Sequence, residues 1–157
     1  MSNEKFKYDF MKYNKYFVLR PNIWLILILF FLCKDIFLML GVGATAFKGK
    51  GQADVSALIV LVSPIFFLSD LPALAVAYVA SARRPSAGPL ARLIWKYGRQ
   101  LVLLSASTYI LLLVYKLKWD IFSMNWLEWL FITTNILIIV YVVSSEFIKD
   151  VFNEFPT

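Results

Sequence analysis

Four apolar runs constrain this chain more than anything else in it. They cover residues 22–40, 55–80, 101–117 and 126–143, about half of its 157 residues. A bilayer core about 30 Å thick is crossed by about 20 helical residues, with a working range of about 17–25. Each run is therefore of membrane-crossing length, the second with residues to spare. In lipid such segments are helical, because every backbone polar group must be satisfied within the segment. The expected fold is an all-α membrane protein, a single domain built as a four-transmembrane-helix bundle. Hydrophobic residues make up 61% of the chain, against about 45–50% in soluble domains. That excess excludes an ordinary soluble core, a disordered chain and a disulfide scaffold.

Charge placement sets the expected topology. Lys5, Lys7, Lys12, Lys15 and Arg20 precede the first run, Arg83, Arg84, Arg92, Lys96 and Arg99 lie in the loop 81–100, and Lys149 is in the tail 144–157. The other side of the bundle would carry only Lys48, Lys50, Lys116 and Lys118. The positive-inside rule then puts both termini and the loop 81–100 in the cytoplasm, in a bacterial inner membrane. Trp24 and Trp95 would mark the inner interface, and Trp119, Trp126 and Trp129 the outer one. The net charge of +6 follows this sidedness and gives no signal for nucleic acid. A cleaved signal peptide fits poorly. Although Ala44-Thr45-Ala46 resembles a cleavage site, the polar lead-in 1–21 is too long and Lys34-Asp35 interrupts the apolar run.

The cytoplasmic segments are expected to be amphipathic. Phe6, Phe10, Tyr13 and Phe17 recur at helical spacing, which reads as a helix lying in the headgroup region. Lys5-Phe6-Lys7-Tyr8 also alternates as a strand would. A helix from Leu90 would put Arg92, Lys96 and Arg99 on one face. With Arg83 and Arg84 they offer a basic surface for anionic lipid headgroups or an acidic partner. In the tail, Phe147, Ile148, Val151, Phe152 and Phe155 form a stripe opposite Glu146, Asp150 and Glu154. A helix continuing from Trp126 to Phe155 would be about 45 Å long and project from the membrane. Its stripe would dock on the basic loop or on another subunit through Phe147, Val151, Phe152 and Phe155.

Polar residues inside the runs are the nearest signal to a site. Lys34 and Asp35 point about 100° apart on a helix, poor geometry for a pair, so each is expected to find another partner or water. Asp70 lies beside Pro72, where the second run is expected to kink or break. Three readings stay open for Asp70: a structural anchor, a contact with a partner subunit, and part of an ion path through a broken helix. A contact between Asp70 and Lys34 is a further option. Asn135, with Ser105, Ser107, Thr108, Thr133 and Thr134, reads as glue between helices.

Chemistry is sparse. The chain has no His and a single Cys, Cys33, so no internal disulfide forms and a zinc, haem or iron–sulfur site lacks ligands. No cofactor is expected, and no serine has a base beside it. Gly41-Val42-Gly43 and Gly49-Lys50-Gly51 lack the context of nucleotide-binding loops.

The lead-in to the first run reads Tyr8-Asp9-Phe10, then Tyr13, Tyr16-Phe17-Val18-Leu19-Arg20-Pro21 before Asn22 and Trp24. A Tyr-Asp pair, a second Tyr and Leu-basic-Pro ahead of an aromatic-rich span resemble a bacterial family of short inner-membrane proteins of unknown function. The resemblance implies about four spans and a charged end to the first one, where Lys34-Asp35 falls. It implies no activity. The family often has Gly at the position of Phe17. These features together predict a non-catalytic accessory or structural subunit of a larger membrane complex, burying Lys34, Asp35, Asp70 and Asn135 against partner helices. The alternative is a small transporter or lipid- or ion-handling carrier built on Asp70.

Overall fold

The computed structural model describes residues 7–14, 16–47, 64–116 and 125–156. Lys5, Phe6, Lys15, Lys48, Lys50, Lys118 and Trp119, and residues 55–63 of the second apolar run, lie outside the described residues. Seven α-helices occur among those described: α1 (Ile23–Leu32), α2 (Lys34–Phe47), α3 (Phe67–Ser81), α4 (Pro89–Lys96), α5 (Gly98–Lys116), α6 (Trp126–Ser144) and α7 (Glu146–Asn153). No strand forms among the described residues, only an isolated antiparallel bridge between Tyr13 and Leu19.

Helices α5 and α6, each of 19 residues, are long and apolar enough to cross a membrane. A third candidate is the bent pair formed by α1 and the first part of α2, which meet at 57°. Helix α3 is apolar but shorter, at 15 residues. The fold is therefore all-helical with two to three candidate spans among the described residues. Leu25, Leu29 and Leu32 of α1 pack with Val76 and Val79 of α3, Val102 and Ala106 of α5, and Ile138 and Val142 of α6. The outward faces are apolar too, with Ile26, Phe30, Leu71, Leu104 and Leu137 exposed. Helices apolar all round belong to a large core or a membrane.

The first run does not form one straight helix. Pro21 and Asn22 start it, and the Asn22 Oδ1 accepts from the Leu25 N–H at 2.8 Å, an N-cap. It ends at Leu32, turns at Cys33 and restarts at Lys34. The second run is also irregular, but not where proline chemistry placed the break. Helix α3 passes through Pro72 unbroken. Pro72 lies in the second turn, where its missing N–H leaves a single carbonyl, that of Leu68, without its helical donor. The irregular stretch comes earlier, as a 3-10 turn at Pro64–Phe66.

One end of the bundle gathers the start of α1, the end of α3, the start of α5 and the end of α6, together with the described parts of the lead-in and tail and the loop that carries α4. The expected amphipathic helix before α1 is absent from residues 7–14 and 16–21. A single 3-10 turn, Phe10–Lys12, is followed by a tight loop. The Asn14 Oδ1 accepts from the N–H groups of Tyr16 and Val18, and the Arg20 N–H donates to the Lys12 carbonyl at 2.8 Å. Such Asx turns compete with helix, and here the turn prevails over the aromatic spacing. Phe17 sits in the left-handed region, at φ 56°.

The long final helix is also interrupted. Helix α6 stops at Ser144, and Ser145 ends one helix and starts the next: its N–H donates to the Tyr141 carbonyl and its Oγ accepts from the Ile148 N–H. The tail folds back over the bundle end instead of projecting from it.

Candidate functional site: a buried polar knot and a clamp at the loop end

The knot lies where α1 bends. The Asp70 Oδ2 accepts from the backbone N–H groups of Asp35 (3.0 Å) and Ile36 (3.1 Å), the first free amides of α2. A carboxylate from another helix thus does the work of an N-cap. Asp70 also accepts from the Ser69 Oγ, and the Ser69 carbonyl accepts from the Ser105 Oγ at 2.6 Å, which joins α3 to α5. Asp70 and Asp35 are both almost fully buried.

Lys34 and Asp35, expected not to pair, form a salt bridge at 2.8 Å. The lysine stem explains the difference: both residues sit in the first turn of α2, and the four-carbon Lys34 side chain is long enough to curl round to the short, buried Asp35 carboxylate. The Lys34 ammonium lies 3.6 Å from the centre of the Tyr109 ring, with the Phe31 and Phe131 rings each at 5.3 Å. An ammonium in such an aromatic cage is held by the ring faces. Asp70 is not bonded to Lys34; its carboxylate serves the α2 amides. Asn135 is fully buried, and its Nδ2 donates back to the Phe131 carbonyl of its own helix while its Oδ1 has no hydrogen-bond partner among the described residues. Thr134 likewise bonds within α6. Of the polar residues read as glue, Ser105 makes the bond between helices.

The clamp centres on Arg83. Its Nη1 donates to the Leu19 carbonyl at 2.6 Å, its Nη2 donates to the Glu154 carbonyl, and its guanidinium lies 4.5 Å from the centre of the Trp95 ring. One side chain therefore joins the lead-in, the loop and the tail. Burial pushes Arg83 down to about 10, with the Glu154 carboxylate partly opposing the shift, so the group stays charged at neutral pH. Trp95, expected at a membrane interface, is buried instead: its indole N–H donates to the Val151 carbonyl at 2.9 Å, and its ring packs on Phe152. A β-carbon on Gly98 would come within 2.4 Å of the Phe152 ring, so only glycine lets the tail sit this close. The Leu19 N–H donates to the Glu154 carboxylate at 2.7 Å. Asp150 accepts from both Lys7 and Tyr8 at 2.8 Å; these donors hold its carboxyl below the usual range and raise Lys7.

The tail stripe thus meets its own chain. Val151 and Phe152 are buried, Phe147 packs edge-on against Tyr8, and Phe155 lies under Arg92. The basic stripe is divided. A break at Tyr97 separates Lys96 from Arg99, and Arg99 turns to cap α6, donating to the Val142 and Val143 carbonyls. Arg92 donates to the Pro85 carbonyl. Arg84, Arg92 and Lys96 are exposed. The intramembrane candidates Lys34, Asp35 and Asp70 come together, whereas Asn135 makes no bond to them. Sequence reasoning did not single out Leu19, Tyr109 or Phe131 as partners; their signal was aromatic or apolar character, common to much of the chain.

An apolar helical bundle with two to three candidate spans, buried charges at a helix bend and a folded loop end defines the class of a polytopic helical membrane protein. A family model matches residues 8–154, from the Tyr8 that holds Asp150 to the Glu154 that holds Leu19, and the chain belongs to that family, DUF2919, described as proteins of unknown function. No curated protein and no solved structure matches the chain.

Proposed function

We propose that this protein is a non-catalytic accessory or structural subunit of a larger complex, a four-span protein of the bacterial inner membrane with both termini cytoplasmic. The observation that carries the subunit reading is the exposed apolar and basic surface at the loop end. The charged groups of the knot, expected to be buried against partner helices, are satisfied within the chain and support only a positioning role. Lys34, Asp35 and Asp70 hold one another, a helix end and an aromatic cage, so the polar groups in the apolar region serve to position helices. What the chain offers outward at the loop end is a surface. Leu90 and Leu93 of α4 and Tyr97 just after it are exposed, beside exposed Arg92 and Lys96, a pattern suited to a membrane surface and to a neighbouring subunit. The four-span topology rests on the apolar sequence that continues upstream of α3 and on the excess of Lys and Arg in the lead-in, the loop 81–100 and the tail.

Purification from native membranes in mild detergent, followed by mass spectrometry, tests the reading. A partner retained in fixed stoichiometry is the expected result. A lone monomer with no co-purifying protein overturns it. A proton or ion flux in proteoliposomes that is lost in Asp70→Asn would replace it with the carrier reading.

A further inference from the structure

A groove of about 720 Å³ runs along the outside of the bundle between α1 and α3, within the size range of about 300–1,000 Å³ typical of small-molecule sites. Ile26, Phe30 and Phe37 line one wall, and Leu74 and Ala77 the other. Arg20 stands at the mouth, just ahead of the Asn22 cap of α1, so the groove begins where the helix begins and runs inward past the bend. The Arg20 side chain is exposed and makes no hydrogen bond or ion pair among the described residues. A second hollow of about 220 Å³ shares Arg20 and Pro21 and adds Lys12. The Lys12 ammonium faces the rings of Tyr8 and Phe147, with no carboxylate partner among the described residues. Lys7, by contrast, has an acid, and Arg83, Arg92 and Arg99 have carbonyls. Two cations without acid partners among the described residues thus stand at this end, Arg20 on the groove itself and Lys12 in the adjoining hollow.

We infer that this groove holds one acyl chain of an anionic phospholipid, with the lipid phosphate on Arg20 and Lys12. The chemistry matches at both ends. Methylene groups meet aliphatic and aromatic walls, and a phosphate meets a guanidinium able to donate two parallel hydrogen bonds. The groove is open along its side, so the second acyl chain stays in the bilayer. The inference stands whether or not a partner subunit is found.

Native mass spectrometry of the full chain, delipidated in mild detergent and titrated with phosphatidylglycerol or phosphatidylethanolamine, is the test. The wild type is expected to retain one phosphatidylglycerol in preference to phosphatidylethanolamine. Arg20→Gln, which breaks no internal bond, should weaken that retention at least about tenfold, the effect of losing one charge-assisted contact. Ala77→Phe should abolish it by filling the groove, and Arg84→Gln should leave it unchanged. Equal retention of the two lipids, or retention unaffected by Arg20→Gln, overturns the proposal. So does a dimer that Ala77→Phe dissociates, which would assign the groove to a second copy of the chain.

Discussion

The knot and the clamp both bury cationic side chains, and they satisfy them in opposite ways. At the bend of α1 the cation Lys34 meets an acid, and a second acid, Asp70, meets backbone N–H groups. At the loop end the cation Arg83 meets backbone carbonyls, and the acids Asp150 and Glu154 reach across to the lead-in. A helix that starts inside the bundle presents unpaired donors, so it needs a carboxylate. Chain segments that end or turn present unpaired acceptors, so they need a guanidinium. Which sign of charge meets the backbone therefore follows from whether the local unpaired groups are donors or acceptors. Arg99, which caps the carbonyl end of α6, fits the same rule.

The sharpest way to break this comparison is to remove one member of the buried ion pair. Lys34→Met leaves Asp35 charged in an apolar surrounding and is expected to cost about 3–5 kcal/mol, whereas adding Asp35→Leu should recover most of the loss. Thermal unfolding in detergent reads both. If the double variant is as unstable as the single one, the pair does more than satisfy itself. Arg83→Lys is the matching change at the clamp. A lysine keeps the charge but cannot reach the Leu19 and Glu154 carbonyls together while stacked on Trp95. A loss of about 2 kcal/mol is expected for one charged hydrogen bond, together with faster proteolysis of the tail after residue 145. Unchanged proteolysis would mean that Trp95 and Phe152 hold the tail without it.

The two regions also differ in how far the sequence discloses them. Two of the candidate spans were legible because lipid imposes one rule on every residue of a helix: runs 101–117 and 126–143 correspond to Gly98–Lys116 and Trp126–Ser144 within a few residues. The bend at Cys33 was not legible. Nothing in Leu32-Cys33-Lys34 breaks a helix, and the group that caps the restart lies 35 residues away at Asp70. Pro72 drew the break to itself because proline chemistry is local and visible, while the cap is tertiary. Ser145 did carry a readable signal, a serine directly followed by Glu146 in the position of a first helical turn, which the strong apolar pattern on either side obscured. The stripe of Phe147, Val151, Phe152 and Phe155 was legible as a docking face. Its partner within the chain, the loop that carries Trp95, depends on Arg83 and Gly98, and their roles appear only when the lead-in, the loop and the tail meet.

A smaller effect is expected from the backbone of the lead-in. Phe17 occupies the left-handed region at φ 56°, a conformation that glycine adopts without steric cost. A β-carbon there costs about 1–2 kcal/mol. Phe17→Gly removes that cost but also the tilted contact with Phe10 at 6.4 Å, so a net gain of about 1 kcal/mol is expected. Phe17→Ala keeps the β-carbon and loses the ring, and should be no more stable than the wild type. A gain in both variants would point to the exposed ring, and not the backbone, as the source of strain.

The smallest effect separates the exposed part of the clamp from the buried part. Asp150 is held below its usual range by the donors Lys7 and Tyr8, so its contribution to stability is present above the ordinary carboxylate value and lost as pH falls through the lower, folded one. Lys7 is raised by the same contact, so its share is complete below the ordinary lysine value and lost only in strong alkali. The stability difference between wild type and Asp150→Asn should therefore be level across neutral pH and shrink below about pH 4. It should also shrink in high salt, because Lys7 is exposed and its charge is screened. The Arg83 contacts should show neither trend in acid, because their acceptors are backbone carbonyls that do not titrate. A melting curve that lost the Arg83→Lys effect and the Asp150→Asn effect together at low pH would mean that the tail leaves as one unit. Loss of the Asp150 effect alone would show that Arg83, Trp95 and Phe152 hold it after the outer ion pair has gone.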